Sequence, residues 1–220
     1  MKVWIVLLVI LAVLVGLYLV LLLGCLSFRC IRRHHLKLVF NEVLRVGHTF
    51  PHPLVASYGT LLGTVRENRI IPHDHDVDFH YDGAHAYELA NHFETHINRD
   101  KFVFERLGGD FYRVHSKFLY RTRIGKRMAH LDLYSAKKLP NGQWKILDLV
   151  FPDKAAFGKT RFGQCKDVEY DVPIPEKAET FLEIAYGKSW KTPIYLMDEH
   201  GDKTKYAKLL RSLKTIGLYI

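Results

Sequence analysis

Three aspartates occur at alternate positions in the run Ile71-Pro-His-Asp-His-Asp-Val-Asp-Phe79: Asp74, Asp76 and Asp78. On an extended strand, Asp76 and Asp78 point to the same face while Val77 and Phe79 point to the other. Two carboxylates held side by side repel each other unless something positive lies between them. A hard divalent cation with phosphate oxygens in its shell meets that need, which makes Asp76 and Asp78 candidate metal ligands. Asp74, just before the strand, is a ligand, a base or a supporting partner. The bland alternative is a polar turn leading into an ordinary strand. The run Tyr58-Gly-Thr-Leu-Leu-Gly-Thr-Val-Arg66 lies just upstream. Gly59 and Thr60 at a helix start would present free backbone N–H groups to a phosphate. Gly63 permits close approach of backbone or ligand, and Arg66 is suited to a bidentate phosphate contact. A phosphate cradle followed by a carboxylate pair is what metal-assisted phosphoryl transfer requires.

Helical spacing of Leu36, Val39, Phe40, Val43 and Leu44 predicts a helix over His34–His48, closed by Pro51 and Pro53. Leu54–Tyr58 is expected as a buried strand. Thr60 is expected to cap a short helix over Leu61–Arg66, and Val77–Tyr81 to form a second strand. A helix is predicted over Ala84–Asn98. Further strands are predicted at Phe102–Glu105, Phe111–His115 and Met128–Tyr134, and at Gln143–Leu149 after an Asn141-Gly142 turn. A last core helix should run from Glu176 to Tyr186 and stop at Gly187. A basic amphipathic helix is expected over Lys203–Leu213, packed on the domain. The whole reads as an α+β domain with a mixed sheet and flanking helices.

The stretch from Val3 to Leu23 is apolar and uncharged, long enough to span a bilayer. It exceeds the apolar part of a cleavable signal. The expected organisation is a transmembrane anchor over 1–24, a basic juxtamembrane linker over 25–35 and a catalytic domain over 36–220. Arg29, Arg32, Arg33 and Lys37 follow the span, and only Lys2 and the amino terminus precede it, which favours a cytoplasmic domain. Cys25 and Cys30 flank the anchor, leaving Cys165 alone in the domain, so neither a disulfide framework nor a thiolate zinc site is expected. The formal charge of +9 suits anionic lipid or phosphorylated small molecules. The basic residues are scattered and no nucleic-acid motif accompanies them, so no nucleic acid is expected as partner.

Gly59-Thr-Leu-Leu-Gly63, Val65-Arg66 and Ile71-Pro-His-Asp-His-Asp-Val-Asp78 together resemble the signature of the LicD/fukutin family, within the nucleotidyltransferase-fold superfamily. The family's usual acidic run is Trp-Asp-Asp-Asp-Ile-Asp. Here His73 stands at the Trp position and His75 at the middle Asp, while the three outer acids are kept. The resemblance extends to His130-Leu-Asp-Leu-Tyr134, Val172-Pro-Ile-Pro175, Tyr186-Gly187, Trp190 and Pro193. It implies that Asp132 is a third carboxylate on a neighbouring strand, completing a site for Mg²⁺ or Mn²⁺ with Asp76 and Asp78. It also implies transfer of a phospho-alcohol, phosphocholine or phosphoribitol, from a CDP-linked donor to a sugar or glycan acceptor. Gly59, Thr60, Gly63 and Arg66 would bind the donor. For a eukaryotic source the resemblance implies a Golgi or endoplasmic-reticulum membrane with a lumenal domain, against the charge flanks. Trp190, Tyr186 and Tyr195 are candidates for stacking on sugar or base, or ordinary core aromatics. Two other functions are compatible with these residues. One is a nucleotidyltransferase acting on protein or a small alcohol; the other is an inactive membrane partner of glycosyltransferases.

Overall fold

The structure is a computed structural model describing residues 2–72, 74–120 and 129–192. The expected Lys203–Leu213 helix, His73, Pro193 and Tyr195 lie outside the described residues.

Helix α1 runs unbroken from Lys2 to Gly47, 46 residues, or about 69 Å at 1.5 Å per residue. Its N-terminal part is long and apolar enough to cross a membrane. Its C-terminal part buries Leu36, Val39, Phe40, Val43 and Leu44, the stripe expected from the spacing. Residues 25–35, read from sequence as a linker, are helical and continuous with both neighbours. No proline interrupts them, and the i to i−4 ladder runs through.

Among the described residues the main sheet has seven strands. Its order is β1 (Leu54–Ala56), β2 (Asp76–Asp82), β5 (His130–Lys138), β4 (Phe111–Ser116) and β3 (Phe102–Gly108). The short strands β6 (Trp144–Ile146) and β7 (Leu149–Phe151) extend it beyond the end of β5. β2 and β5 run parallel and all other pairs antiparallel, so the sheet is mixed and the chain is α+β, as expected. Parallel pairing needs a crossover, supplied here by α3 (Ala86–His96), β3, β4 and α4 (Lys117–Tyr120). A separate hairpin joins β8 (Arg161–Gly163) to β9 (Val172–Ile174).

Alternation sorts the side chains. One face carries Val77, Phe79, Tyr81, Leu131, Leu133, Tyr112 and Val114, all buried. α1 and α3 cover it: Phe40 meets Phe79 edge-on at 5.8 Å and Phe93 stacks on Phe104 at 5.5 Å. The other face carries the acids.

Three local expectations change. The strand at Leu54 ends at Ala56, because Tyr58 takes a left-handed φ of +43° and turns the chain into α2 (Tyr58–Leu62). Thr60 lies inside α2 rather than capping it; Ser57 is the N-cap residue. The chain continues from α2 into a π-helical turn over Gly63–Glu67. The strand expected over Gln143–Leu149 is two strands, β6 and β7, broken at Leu147, whose φ is +51°. Among the described residues the last helices are α5 (Asp153–Ala156) and α6 (Ala178–Tyr186), the latter ending at Gly187 with φ +81°.

Candidate active site

The register of β2 against β5 places Asp78 beside Asp132 and Asp76 beside His130. β4 continues the rows, with Arg113 beside Asp132 and His115 beside His130. Because the pleat is shared, Asp76, Asp78, Asp132, His130, Arg113 and His115 rise from one face. The acids near the start of β2 are thus joined to a carboxylate more than fifty residues away by a strand pairing that no local pattern announces.

Asp78 is only 9% exposed. Its backbone is tied at both ends to α2: its N–H donates to Thr60 Oγ1 at 2.8 Å, and its carbonyl accepts the Ser57 N–H at 3.0 Å. Thr60 therefore holds the acid strand against the helix start, a role the sequence did not disclose. The left-handed turn at Tyr58 makes this contact possible, at a cost of about 1–2 kcal/mol for a residue with a Cβ. Tyr58 is secured by its O–H donating to the Ile146 carbonyl at 3.2 Å and by edge contacts with Tyr134 and Phe181.

Asp132 is 3% exposed and paired with Arg113 in a bidentate fork, at 2.5 Å from Nε to Oδ1 and 2.8 Å from Nη2 to Oδ2. Tyr134 O–H donates to Asp132 Oδ2 at 3.3 Å. Burial first, then the charges of Asp78, Asp132 and Asp76, push the Tyr134 hydroxyl well above its ordinary range, so it stays protonated and a donor. The His130 Nε2 lies 3.8 Å from Asp76 Oδ2 and 3.8 Å from Asp132 Oδ2. Burial lowers the pKa of His130 despite these carboxylates. His115 is pushed down to about 4, by burial and then by His130. Arg113, His130 and Tyr134 are site residues that sequence reasoning missed. Only the alternation His-x-Asp-x-Tyr in β5 could have signalled two of them.

Asp74 accepts the His75 N–H at 3.2 Å, and Asp74, His75 and Asp76 each offer a ligand atom within 4.8 Å of one another. They form a possible metal-binding group. Arg113 uses two acceptor positions of Asp132 and the Tyr134 hydroxyl a third, which leaves about one of the roughly four that a carboxylate has.

Gly59 and Thr60 line a narrow space with Thr64, Arg69, Asp74 and Asp76, walled also by Phe40, Ile70, Ile71, Val77 and Cys165. Gly63 and Arg66 are elsewhere engaged. A Cβ on Gly63 would sit 2.5 Å from the Arg69 carbonyl, so this glycine admits backbone. Arg66 donates to the Trp190 carbonyl at 3.1 Å and to Glu67 at 2.7 Å. Arg69, not singled out from sequence, also lines this space. Trp190 is buried, in keeping with a core role.

Two solved structures are similar at low identity. One is the solution structure of the antibiotic-resistance factor ANT(2'')-Ia, at 15% identity and TM-score 0.45, covering 83% of this chain and 87% of that one. The other is the lincosamide antibiotic adenylyltransferase LnuA with lincomycin bound, at 14% identity and TM-score 0.40, covering 82% of this chain and 96% of that one. No curated protein matches the chain. The family described as "LicD/FKTN/FKRP, nucleotidyltransferase domain" matches residues 53–168. That span takes in more than half of the 220 residues, including α2, the acid strand and Asp132, and the chain therefore belongs to the LicD/FKTN/FKRP family, whose nucleotidyltransferase domain makes it a transferase.

Proposed function

We propose that this chain is a membrane-anchored, metal-dependent phosphotransferase. It moves a phospho-alcohol, such as phosphocholine or phosphoribitol, from a CDP-linked donor to a sugar or glycan acceptor. The apolar half of α1 is its transmembrane anchor, and the domain over 36–220 carries the chemistry. The observation that carries this reading is the pairing of Asp78 with Asp132 across β2 and β5, with Asp76 one row away.

Asp76 and Asp78 would hold Mg²⁺ or Mn²⁺, with Asp74 in support; an oxygen-rich donor set suits a hard cation. Such an ion, when bound, supplies positive charge against the donor pyrophosphate. Asp132 orients the acceptor hydroxyl, and its own orientation is set by the Arg113 fork and the Tyr134 hydroxyl. The acceptor oxygen bonds to the phosphorus of the phospho-alcohol as the bond to CMP breaks, CMP leaves with the bonding electron pair, and the hydroxyl proton passes to solvent. Gly59 and Thr60 offer the start of α2 to donor phosphate, and Arg69 joins them from the wall of the narrow space they line. Arg66 supports this wall through Glu67, which also binds Arg69 at 3.3 Å.

Titration with CDP, with and without Mg²⁺, tests the reading; binding that metal does not strengthen counts against it. Product analysis separates the nucleotidyltransferase alternative, because phospho-alcohol transfer releases CMP and nucleotidyl transfer releases pyrophosphate. Neither product in any assay would leave the inactive-partner reading.

A further inference from the structure

Contacts along α1 give the height of each part of the domain above the point where the apolar stretch ends near Gly24. Arg33 and Lys37 both pair with Asp167, at 3.0 and 2.7 Å, and Asp167 also accepts the Ile70 N–H at 3.0 Å. The segment leading to the acids is therefore pinned at this level. His35 Nδ1 and Ser116 Oγ lie 2.8 Å apart. Ser116 follows His115, whose row contains His130 and Asp76. One helical turn further on, Phe40 meets Phe79. Gly47 packs on Leu54, which pairs with Tyr81. α1 and β2 thus ascend together. The acids at the start of β2 sit at the level of His35, about 17 Å along α1 from Gly24, and the far end of β2 sits about 35 Å from it.

The lower edge also carries features suited to a lipid surface. Arg29 is exposed one turn beyond the apolar stretch, where it can meet anionic headgroups. Phe118, in α4 just after β4, is 71% exposed and stacks on His35 at 5.2 Å.

We propose that the acidic edge of the sheet faces the bilayer, and that the acceptor hydroxyl is carried on a lipid-linked saccharide in the leaflet from which α1 emerges. This rests on the reading above, in which α1 spans the membrane and the acids transfer a phospho-alcohol. A lipid-linked acceptor diffuses in the same plane as the anchor, and an unbroken helix keeps the site at one height. Confinement of this kind converts a dilute encounter into one at high effective concentration. The water-soluble donor arrives from bulk.

The orientation is tested without any activity assay. Full-length protein with Cys25→Ser, Cys30→Ser and Cys165→Ala receives a single cysteine, Phe118→Cys or Tyr87→Cys, and a fluorescent label. Tyr87 is exposed and follows the far end of β2. In phosphatidylcholine vesicles containing a headgroup-nitroxide lipid, the label at 118 should be quenched about threefold more than that at 87, given roughly 18 Å of height between the levels. Equal quenching, or stronger quenching at 87, overturns the orientation. The acceptor is tested with CDP-choline and CDP-ribitol as donors. A polyprenyl-phosphate-linked disaccharide in the vesicles should be used about tenfold faster than the same disaccharide in solution. Seven helical residues inserted after Phe28 raise the domain about 10 Å with little change of face. That insertion should abolish the preference while leaving CDP binding and the solution rate unchanged. Equal use of the two saccharides, use of neither despite CDP binding, or indifference to the insertion overturns the lipid-linked assignment. Strong quenching at 118 in a protein that binds no CDP would instead refute the phosphotransferase reading and leave the orientation standing.

Discussion

The two faces of the central sheet come from the same strands, residue by residue, yet they are held by different forces. On the α1 side, Val77, Phe79, Leu131, Leu133 and Val114 are buried against apolar helix surface. Their stability is burial and close packing, which is non-directional and tolerant of exchange between similar shapes. On the other side, Asp78, His130, Asp132 and His115 are almost as deeply buried, but they are polar. They persist through directed contacts: the Arg113 fork, the Tyr134 hydroxyl, and Thr60 on the Asp78 amide. Burying charge in this way costs stability relative to an apolar core. One face therefore sustains the fold, and the other stores crowded carboxylates.

Substitutions should separate the faces. The largest expected effect is on turnover: Asp76→Asn or Asp78→Asn should lower kcat by about a thousandfold or more, with Tm within a few degrees of the parent. Steady-state kinetics beside thermal melts checks this, and full activity in either variant would remove that acid from the proposed metal site. Phe79→Ala should do the reverse, costing about 3–5 kcal/mol in denaturant unfolding while the folded fraction keeps its CDP affinity.

Arg113→Ala should combine both losses, since it leaves Asp132 buried without its fork. About 3 kcal/mol is expected, discounted because the Arg113 side chain is one-quarter exposed. The double variant Arg113→Leu with Asp132→Leu should recover stability but not turnover. If the double variant stays active, Asp132 has no place in the chemistry.

His80 gives a pH test of the polar face. Its Nε2–H donates to the Ala156 carbonyl at 2.7 Å, and burial pushes its pKa down to about 4 from 6.5. The unfolded chain then binds the proton more readily than the folded one. Stability should fall as pH drops from about 6.5 toward 4, by roughly 3 kcal/mol from this group, and be fully present above 6.5. His80→Gln should flatten that slope in urea titrations at several pH values; an unchanged slope would show that other groups govern it. The smallest effect is expected for Thr60→Val, about 1–2 kcal/mol from the unpaired Asp78 amide, with reduced turnover that Thr60→Ser restores.

Much of this was legible from residue order. The alternation Asp-x-Asp with Val77 and Phe79 between and after fixes which side of a strand is acidic, because the pleat has a period of two. The stripe from Leu36 to Leu44 specifies a helix face, and the long uncharged stretch before it a membrane-length segment. The likeness of the two glycine- and aspartate-rich runs to the LicD/fukutin signature was also visible, and the family match agrees. These are local properties, carried by neighbours within a few positions.

Tertiary structure decided the rest. That Asp132 lies beside Asp78 depends on β2 and β5 meeting in parallel across a crossover of more than forty residues, and register at that range is set by packing. Arg113 reaches the site only because β4 adds to the other edge of β5. Thr60 became a brace for the acid strand because Tyr58 takes a left-handed turn, a conformation residue type argues against. Arg66, expected at the phosphates, donates to the Trp190 carbonyl, and Arg69 lines the space beside Thr60 and Asp76. Sequence determined which chemistry the chain carries, through residue types and short periods. The fold determined which of those groups meet, because contacts between distant segments follow from how whole elements pack.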